Sequence, residues 1–157
     1  MSVLKSKRKE SKFEVFHHAF NLRKRLTDVV FRNFGYKPKK RVGETDAQFE
    51  IRKSAEEWFI QNEREFLINY TRSLIANLIS ANSIYPTNAY EYIERRNYQN
   101  FAIADCNKIL QELQYAIESL YLNVNLYTNL ALDIEKETSL IKGWRKSDNR
   151  FKKVLEN

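Results

Sequence analysis

Glycine and proline are scarce in this chain, and their scarcity restricts the possible folds more than any other feature of the sequence. Only three glycines and two prolines occur among 157 residues. A β-sandwich or barrel needs many tight turns and usually contains more of both residues. Long helices need few turns, so the sequence predicts a single all-α domain.

The first predicted helix follows a basic N-terminal arm, residues 1–10, which lacks a core pattern. Ser11 is a candidate N-cap, because Glu14 follows it at capping-box spacing. Gly35 is a candidate C-terminal stop. The spacing of apolar residues predicts one buried helix face, and its members are Phe13, Phe16, Phe20, Thr27, Val30 and Phe34.

Three further helices follow from the same spacing rule. Thr45 can cap a helix over residues 46–83, either continuous or broken near Asn62, and Pro86 ends that stretch. Thr87 or Asn88 can cap the third helix, whose stripe is Ala102, Cys106, Ile109, Leu113, Ile117 and Leu120. The stripe of the fourth helix is Leu126, Leu130, Ile134, Ile141 and Trp144. Ser147 and Asp148 are candidate caps for a short frayed tail.

These elements predict an up-down-up-down four-helix bundle at residues 11–146, followed by a basic tail at residues 147–157. The third stripe is wider than one helix seam requires, with Ile103 and Leu110 at its margins. We therefore expect these two residues to face a neighbouring copy in a homo-oligomer. Most tyrosines flank the ends of the third helix, where they are expected to be buried and to cap a bundle end; exposed tyrosines would instead suit a protein interface or base stacking.

Positive charge is concentrated at the two ends of the chain. Residues 1–43 hold thirteen Lys/Arg and three Asp/Glu, a net charge of +10. Residues 44–141 carry −7 and residues 142–157 carry +4. Such asymmetry is typical of a polyanion-binding face on an otherwise ordinary protein, although scattered solvated lysines would give the same totals.

The basic clusters are the candidate nucleic-acid-binding residues, and their phosphate contacts would be salt-sensitive and largely independent of sequence. Antiparallel first and fourth helices would align part of them in one stripe, with the arm and the tail expected at opposite ends. The candidates are Lys5, Lys7, Arg8, Lys9, Lys12, Arg23, Lys24, Arg25, Lys37, Lys39, Lys40, Arg41, Lys142, Arg145, Lys146, Arg150 and Lys152.

Catalytic and metal-binding patterns are absent from the sequence. His17 and His18 are adjacent on a helix and point about 100° apart, so they cannot share a metal. Glu14 lies one turn before His18, which is a weak signal. Cys106 lies on an apolar stripe and is expected to be a packed core thiol. No glycine loop for phosphates occurs. We therefore expect no enzyme activity, cofactor, metal or small-molecule substrate.

Nothing in the sequence suggests secretion or membrane insertion. The polar N-terminus does not resemble a signal peptide, and no run of about 18 apolar residues occurs. A single cysteine excludes an intrachain disulfide and fits a reducing compartment. The expected location is the cytoplasm.

Several segments together resemble the four-helix-bundle accessory proteins encoded beside reverse transcriptases in diversity-generating retroelements, the accessory variability determinant (Avd) family. The resemblance covers most of the chain and is weakest over residues 42–60. The segments are MSVLKSKRKESKFEVFHHAFNLRKRLTD, NLISANSIYPTN, ERRNYQNFAIADCNKILQELQYAIE and IEKETSLIKGWRKSDNRFKK. A similar bundle occurs in proteins encoded within ribosomal RNA intervening sequences.

The resemblance implies a bacterial or phage protein that forms homo-pentameric barrels with a positively charged surface. Such proteins bind a reverse transcriptase and its RNA, support mutagenic cDNA synthesis, and perform no chemistry themselves. Structured RNA and RNA/DNA hybrid are then the expected ligands. The alternatives are a structural adaptor that binds an acidic protein partner and an intervening-sequence-type protein.

Overall fold

The computed structural model describes residues 2–156, with the side chains of residues 14–125 and 127–156. This part of the chain forms four α-helices and no β-strand. The helices are α1 (Ser2–Phe31), α2 (Asp46–Ser83), α3 (Ala89–Ser119) and α4 (Thr128–Ser147). Short 3₁₀ segments lie at Asn33–Gly35, Val124–Leu126 and Asp148–Leu155. The prediction of an all-α fold is confirmed.

Capping side chains set the starts of α2 and α3. The Thr45 hydroxyl accepts from the Gln48 amide at 3.2 Å, and the Gln48 side chain accepts from the Thr45 amide at 3.0 Å. Asn88 Oδ1 accepts from the Glu91 amide at 2.9 Å. Each cap satisfies amides that have no partner inside the helix. The predictions of Thr45 and Asn88 as caps are confirmed.

One predicted helix boundary is wrong, and of the two alternatives for the second helix the continuous one is observed. Helix α1 begins at Ser2 rather than after Ser11, because residues 2–10 contain good helix formers and no glycine or proline. Helix α2 continues through Asn62, whose side-chain amide donates to the Trp58 carbonyl instead of capping a new helix. The division of the chain into arm, bundle and tail stays a prediction.

Each helix packs against two others, in the pairs α1–α2, α2–α3, α3–α4 and α4–α1. Along α1, Phe16 packs against Trp144, whereas Arg25, farther along, pairs with Asp133. Residue numbers therefore rise along α1 while those of its contacts on α4 fall. The contacts of α2 with α3 behave in the same way.

The core lies between these four helices, and its stripe on α1 differs from the predicted one. Phe20 is exposed and Phe16 is only half-buried. The buried positions form the adjacent aliphatic stripe Val15, Ala19, Leu22, Leu26 and Val30. The prediction is confirmed for Val30 and Phe34, which are buried, and wrong for Phe20, because the continuous aliphatic spacing rather than the large aromatic rings marks the buried face. The side chain of Phe13 lies outside the described residues.

The predicted stripes of α3 and α4 are buried wherever their side chains are described. Cys106 is fully buried, and burial raises the pKa of its thiol to about 12, as expected of a core thiol. Ile103 packs in the chain's own core, which corrects the expectation that it faces a neighbouring copy. Leu110 is half-buried and lines a groove of about 280 Å³ between α3 and α4.

The tyrosines divide between core and surface. Tyr92 and Tyr127 are buried, whereas Tyr85, Tyr90 and Tyr121 are exposed. The expectation that most tyrosines cap a bundle end is therefore correct only in part.

Candidate nucleic-acid interface

The basic candidates of known geometry concentrate near two ends of the bundle. Phe16 contacts Trp144 near one end, and the Tyr127 hydroxyl donates to the Phe34 carbonyl at the other. Trp144 lies seventeen positions after Tyr127, the residue that precedes α4, which corresponds to about 25 Å along the helix. The tail cluster comprises Lys142, Arg145, Lys146, Arg150 and Lys152. The loop cluster comprises Lys37, Lys39, Lys40 and Arg41.

The tail cluster carries uncompensated positive charge. Within residues 2–156, none of its five members lies within ion-pair distance of a described carboxylate. Arg145 donates to the neutral Asn100 side chain at 2.6 Å, and the Arg150 guanidinium lies 4.6 Å from the Phe151 ring centroid. Four of the five side chains are exposed, and Arg145 is half-buried. The cluster can therefore offer its charges to a polyanion.

A buried polar network fixes the tail cluster to the bundle. Asp148 accepts from Arg95 Nε at 2.6 Å and from Gln99 Nε2 at 2.7 Å, and all three residues are buried. The Arg95 guanidinium also lies 5.0 Å from the Trp144 ring centroid and 5.6 Å from that of Phe151. Asp148 therefore binds Arg95 rather than capping a frayed tail, which corrects the sequence prediction.

The basic N-terminal residues lie on the same side of the fold as the tail cluster. Because α1 and α4 run in opposite directions, the turns of α1 before Glu14 extend from the end where Phe16 meets Trp144. The expectation that arm and tail lie at opposite ends is wrong. The side chains of these candidates, Lys5, Lys7, Arg8, Lys9 and Lys12, lie outside the described residues.

The basic residues in the middle of α1 differ in their surroundings. Arg25 pairs with Asp133 on α4. Arg23 and Lys24 line a shallow hollow between the exposed rings of Phe20 and Phe31, and neither has a carboxylate partner in the described part of the chain. Arg23 and Lys24 therefore remain available for phosphate contacts.

The loop cluster is partly neutralised. Lys40 Nζ lies 2.5 Å from Asp46, and an Arg41 nitrogen lies 3.9 Å from Glu56. Lys37 and Lys39 have no carboxylate within ion-pair distance among the described residues. The loop therefore contributes less free charge than its four cations suggest.

Arg52 anchors the loop from α2. Its Nε donates to Glu44 at 2.8 Å, its Nη1 to Glu56 at 3.0 Å, and its Nη2 to the Lys39 carbonyl at 2.7 Å. The hydrogen bond from Arg52 lowers the pKa of Glu44 to about 2. Burial, aided by its bond to Glu56, raises the pKa of Tyr36 to about 12. This network holds the loop against the first turns of α2.

A second buried polar pair lies between α1 and α4. His18 Nδ1 and Glu137 Oε2 are 2.7 Å apart, and the Glu137 side chain is 0% exposed. Burial raises the pKa of Glu137 to about 8, and burial also lowers the pKa of His18. Both shifts favour the neutral forms of the two groups, in which the carboxyl O–H donates to the imidazole. Within the described residues, no group of three His, Cys, Asp or Glu side chains can hold a metal.

Sequence reasoning missed the buried polar residues. Arg95 and Gln99 continue the α3 stripe backwards from Ala102 at four- and three-residue steps, and Glu137 fills the gap in the α4 stripe between Ile134 and Ile141. These positions on the apolar stripes were the sequence signal that indicated burial. Charged residues were instead assigned to the surface, where they usually lie.

Comparisons with protein-family models, curated proteins and solved structures found no match to this chain. Among the described helices, none combines the length and the apolar composition needed to cross a bilayer.

Proposed function

We propose that this chain is a non-catalytic, nucleic-acid-binding accessory subunit of a retroelement reverse transcriptase. The observation that carries the proposal is the tail cluster, five cations without a described carboxylate partner at the end from which the basic turns of α1 extend. Such a surface favours phosphate backbones because binding releases condensed counterions. The sequence resemblance to accessory proteins of diversity-generating retroelements supplies the partner, the reverse transcriptase, and the template RNA that it copies mutagenically.

The proposal includes the assembly. An up-down-up-down bundle agrees with the opposite running order of the α1–α4 and α2–α3 contacts, and the resemblance suggests five copies. Light scattering should then report a mass five times the 18.8 kDa of one chain. A monomeric mass at micromolar concentration would contradict the proposed oligomer. The expected location is a bacterial cytoplasm.

The decisive experiment measures affinity for structured RNA and for an RNA/DNA hybrid across a salt series. Replacing Lys142, Lys146 and Lys152 with alanine should weaken binding about equally across sequences. It should also lower the magnitude of the log–log salt slope by about 0.7–0.9 for each phosphate that the variant no longer neutralises. These three side chains are exposed, so the fold should be unchanged.

A matched control removes three cations that already have carboxylate partners. Arg32, Lys108 and Lys136 lie within 4 Å of Asp28, Asp105 and Glu14, respectively, and their replacement by alanine gives the same change in net charge. The control should bind RNA more tightly than the tail variant. Equal affinities and slopes would show that only net charge matters.

The alternative function, an adaptor for an acidic protein, predicts no measurable nucleic-acid binding at physiological salt. Co-purification with a co-expressed reverse transcriptase tests the proposed partner directly. Retention of the enzyme by the tagged wild-type chain, and no retention by an unrelated tagged protein, would support the assignment.

A further inference from the structure

A cleft of about 710 Å³ lies at the end of the bundle opposite the tail cluster. Its walls come from the segment that follows α1, the segment that follows α3, and Arg52 and Glu56 of α2. This volume is in the range of pockets that hold small organic ligands. The loop cluster therefore lines an open cleft.

The cleft is electropositive. Five cationic side chains and one carboxylate line it. Glu44 and Glu56 neutralise Arg52, and Asp46 neutralises Lys40. Lys37 and Lys39 remain without a carboxylate among the described residues, and their ammonium groups can bind a phosphate.

One wall of the cleft is an exposed aromatic ring. Tyr121 is 83% exposed, and the Arg41 guanidinium lies 5.7 Å from its ring centroid. An exposed ring beside cations suits a nucleobase, because an unpaired base stacks on aromatic and guanidinium planes while its phosphate contacts lysine or arginine.

The backbone at Tyr121 adopts a left-handed conformation that glycine favours. Tyr121 has φ +52° and follows the end of α3, where the Leu122 amide donates to the Ile117 carbonyl at 3.0 Å and the Tyr121 amide donates to the Glu118 carbonyl at 3.3 Å. This pattern is a Schellman motif, in which glycine is the favoured residue at the left-handed position. Tyrosine is strained there because of its Cβ.

We propose that this cleft binds an unpaired nucleotide of a structured RNA, with the base on Tyr121 and the phosphate on Lys37 and Lys39. The proposal deepens the proposed function and rests on it, since it takes RNA as the ligand. An acidic peptide would use the two lysines but would gain nothing from the strained ring. Strained residues concentrate at functional sites, which favours the nucleotide.

The test separates stability from binding with the variant Tyr121→Gly. Glycine relieves the left-handed strain, so the melting temperature should rise. Affinity for an RNA hairpin with a single-stranded overhang should fall about 5- to 150-fold, the range measured when a stacking aromatic is removed. Affinity for the blunt hairpin should be unchanged. Tyr121→Phe is the matched control and should bind the overhang within about twofold of wild type.

A second variant, Lys37→Ala with Lys39→Ala, keeps the ring and removes the phosphate contacts. It should also lower affinity for the overhang hairpin more than for the blunt one. Unchanged overhang affinity in this variant and in Tyr121→Gly would overturn the proposal. Adenosine monophosphate that binds as tightly as the overhang RNA would overturn the assignment to RNA.

A glutamate-rich peptide probes the other class of partner. Suppose that peptide binding requires Lys37 and Lys39 and is unaffected by Tyr121→Gly, while RNA binding is unchanged in both variants. The cleft would then be a protein-binding site, and the proposal would be overturned. The tail variant, with alanine at Lys142, Lys146 and Lys152, distinguishes a failure of the proposed function from a failure of the cleft proposal. If its RNA affinity is normal while Tyr121→Gly loses the overhang preference, the tail assignment fails and the cleft stands.

Discussion

Arg95 and Asp148, 53 residues apart in the sequence, form a bidentate ion pair in which each side chain is only 3% exposed. The remaining Arg95 nitrogen donates to the carbonyls of Ala81 and Ile84 at 3.0 and 2.8 Å. One guanidinium therefore joins the end of α2, the start of α3 and the C-terminal 3₁₀ helix.

Asp148→Ala should lower the free energy of unfolding by about 3–5 kcal/mol, because it leaves a buried arginine without its counter-charge. Urea denaturation measures the change. Asp46→Ala is the control, since Asp46 is 94% exposed and its pair with Lys40 is worth at most about 1 kcal/mol. Similar losses in the two variants would contradict a structural role for the buried pair.

Glu137→Gln should remove a pH dependence of stability. The pKa of Glu137 is about 8 in the folded protein and about 4.5 in the unfolded chain. Between pH 4.5 and pH 8 the Glu137 carboxyl is protonated in the folded state and ionised in the unfolded chain. The free energy of unfolding of the wild type should therefore fall as pH rises, by up to about 1.4 kcal/mol per pH unit. Glutamine keeps a neutral donor for His18 and should not show this decline.

Urea denaturation of both proteins from pH 4.5 to 8.5 provides the measurement. The pKa of His18 is lowered, so its own contribution to stability rises with pH through its ordinary value of 6.5. His18 is present in both proteins, and the difference between the two curves therefore reports mainly on residue 137. Parallel curves would show that Glu137 is ionised in the folded state.

Leu113→Asp should abolish cooperative unfolding, because an unpaired carboxylate in the core costs an amount comparable to the total stability of a domain, about 5–15 kcal/mol. Circular dichroism during a thermal scan is the measurement. Leu132→Asp is the control, since Leu132 is exposed on α4. A normal melting transition for Leu113→Asp would contradict the described core.

Thr45→Ala should destabilise the start of α2 by about 0.5–2 kcal/mol through loss of the capping box. Ser54→Ala, at an exposed position of the same helix, should have little effect. Urea denaturation compares the two, and equal midpoints would show that the cap contributes nothing to folding.

The helix boundaries that were predicted correctly depend on local chemistry. The Thr45 and Asn88 side chains and the proline at position 86 act on amides and backbone angles within a few residues, so the sequence displays them directly. The start of α1 was missed because residues 2–10 carry no such signal and consist mostly of good helix formers.

The buried charges could not be predicted for a different reason. Arg95 is stable in the interior only because Asp148 and two carbonyls converge on it, and that convergence is a property of the tertiary fold. The same holds for the division of the loop cluster into paired and unpaired lysines. Basic clusters are visible in a sequence, but the carboxylates that neutralise them arrive from other elements.

The first turns of α2 have a dynamic consequence. No residue from Asp46 to Phe59 is buried, and the buried face of the helix begins at Ile60. Amide hydrogens in these turns can exchange with solvent through a local opening that leaves the core closed. Arg52 and Glu56 lie in this segment, so one wall of the cleft belongs to a part of the fold that can open without disrupting the core. A ligand held there should slow exchange across these turns.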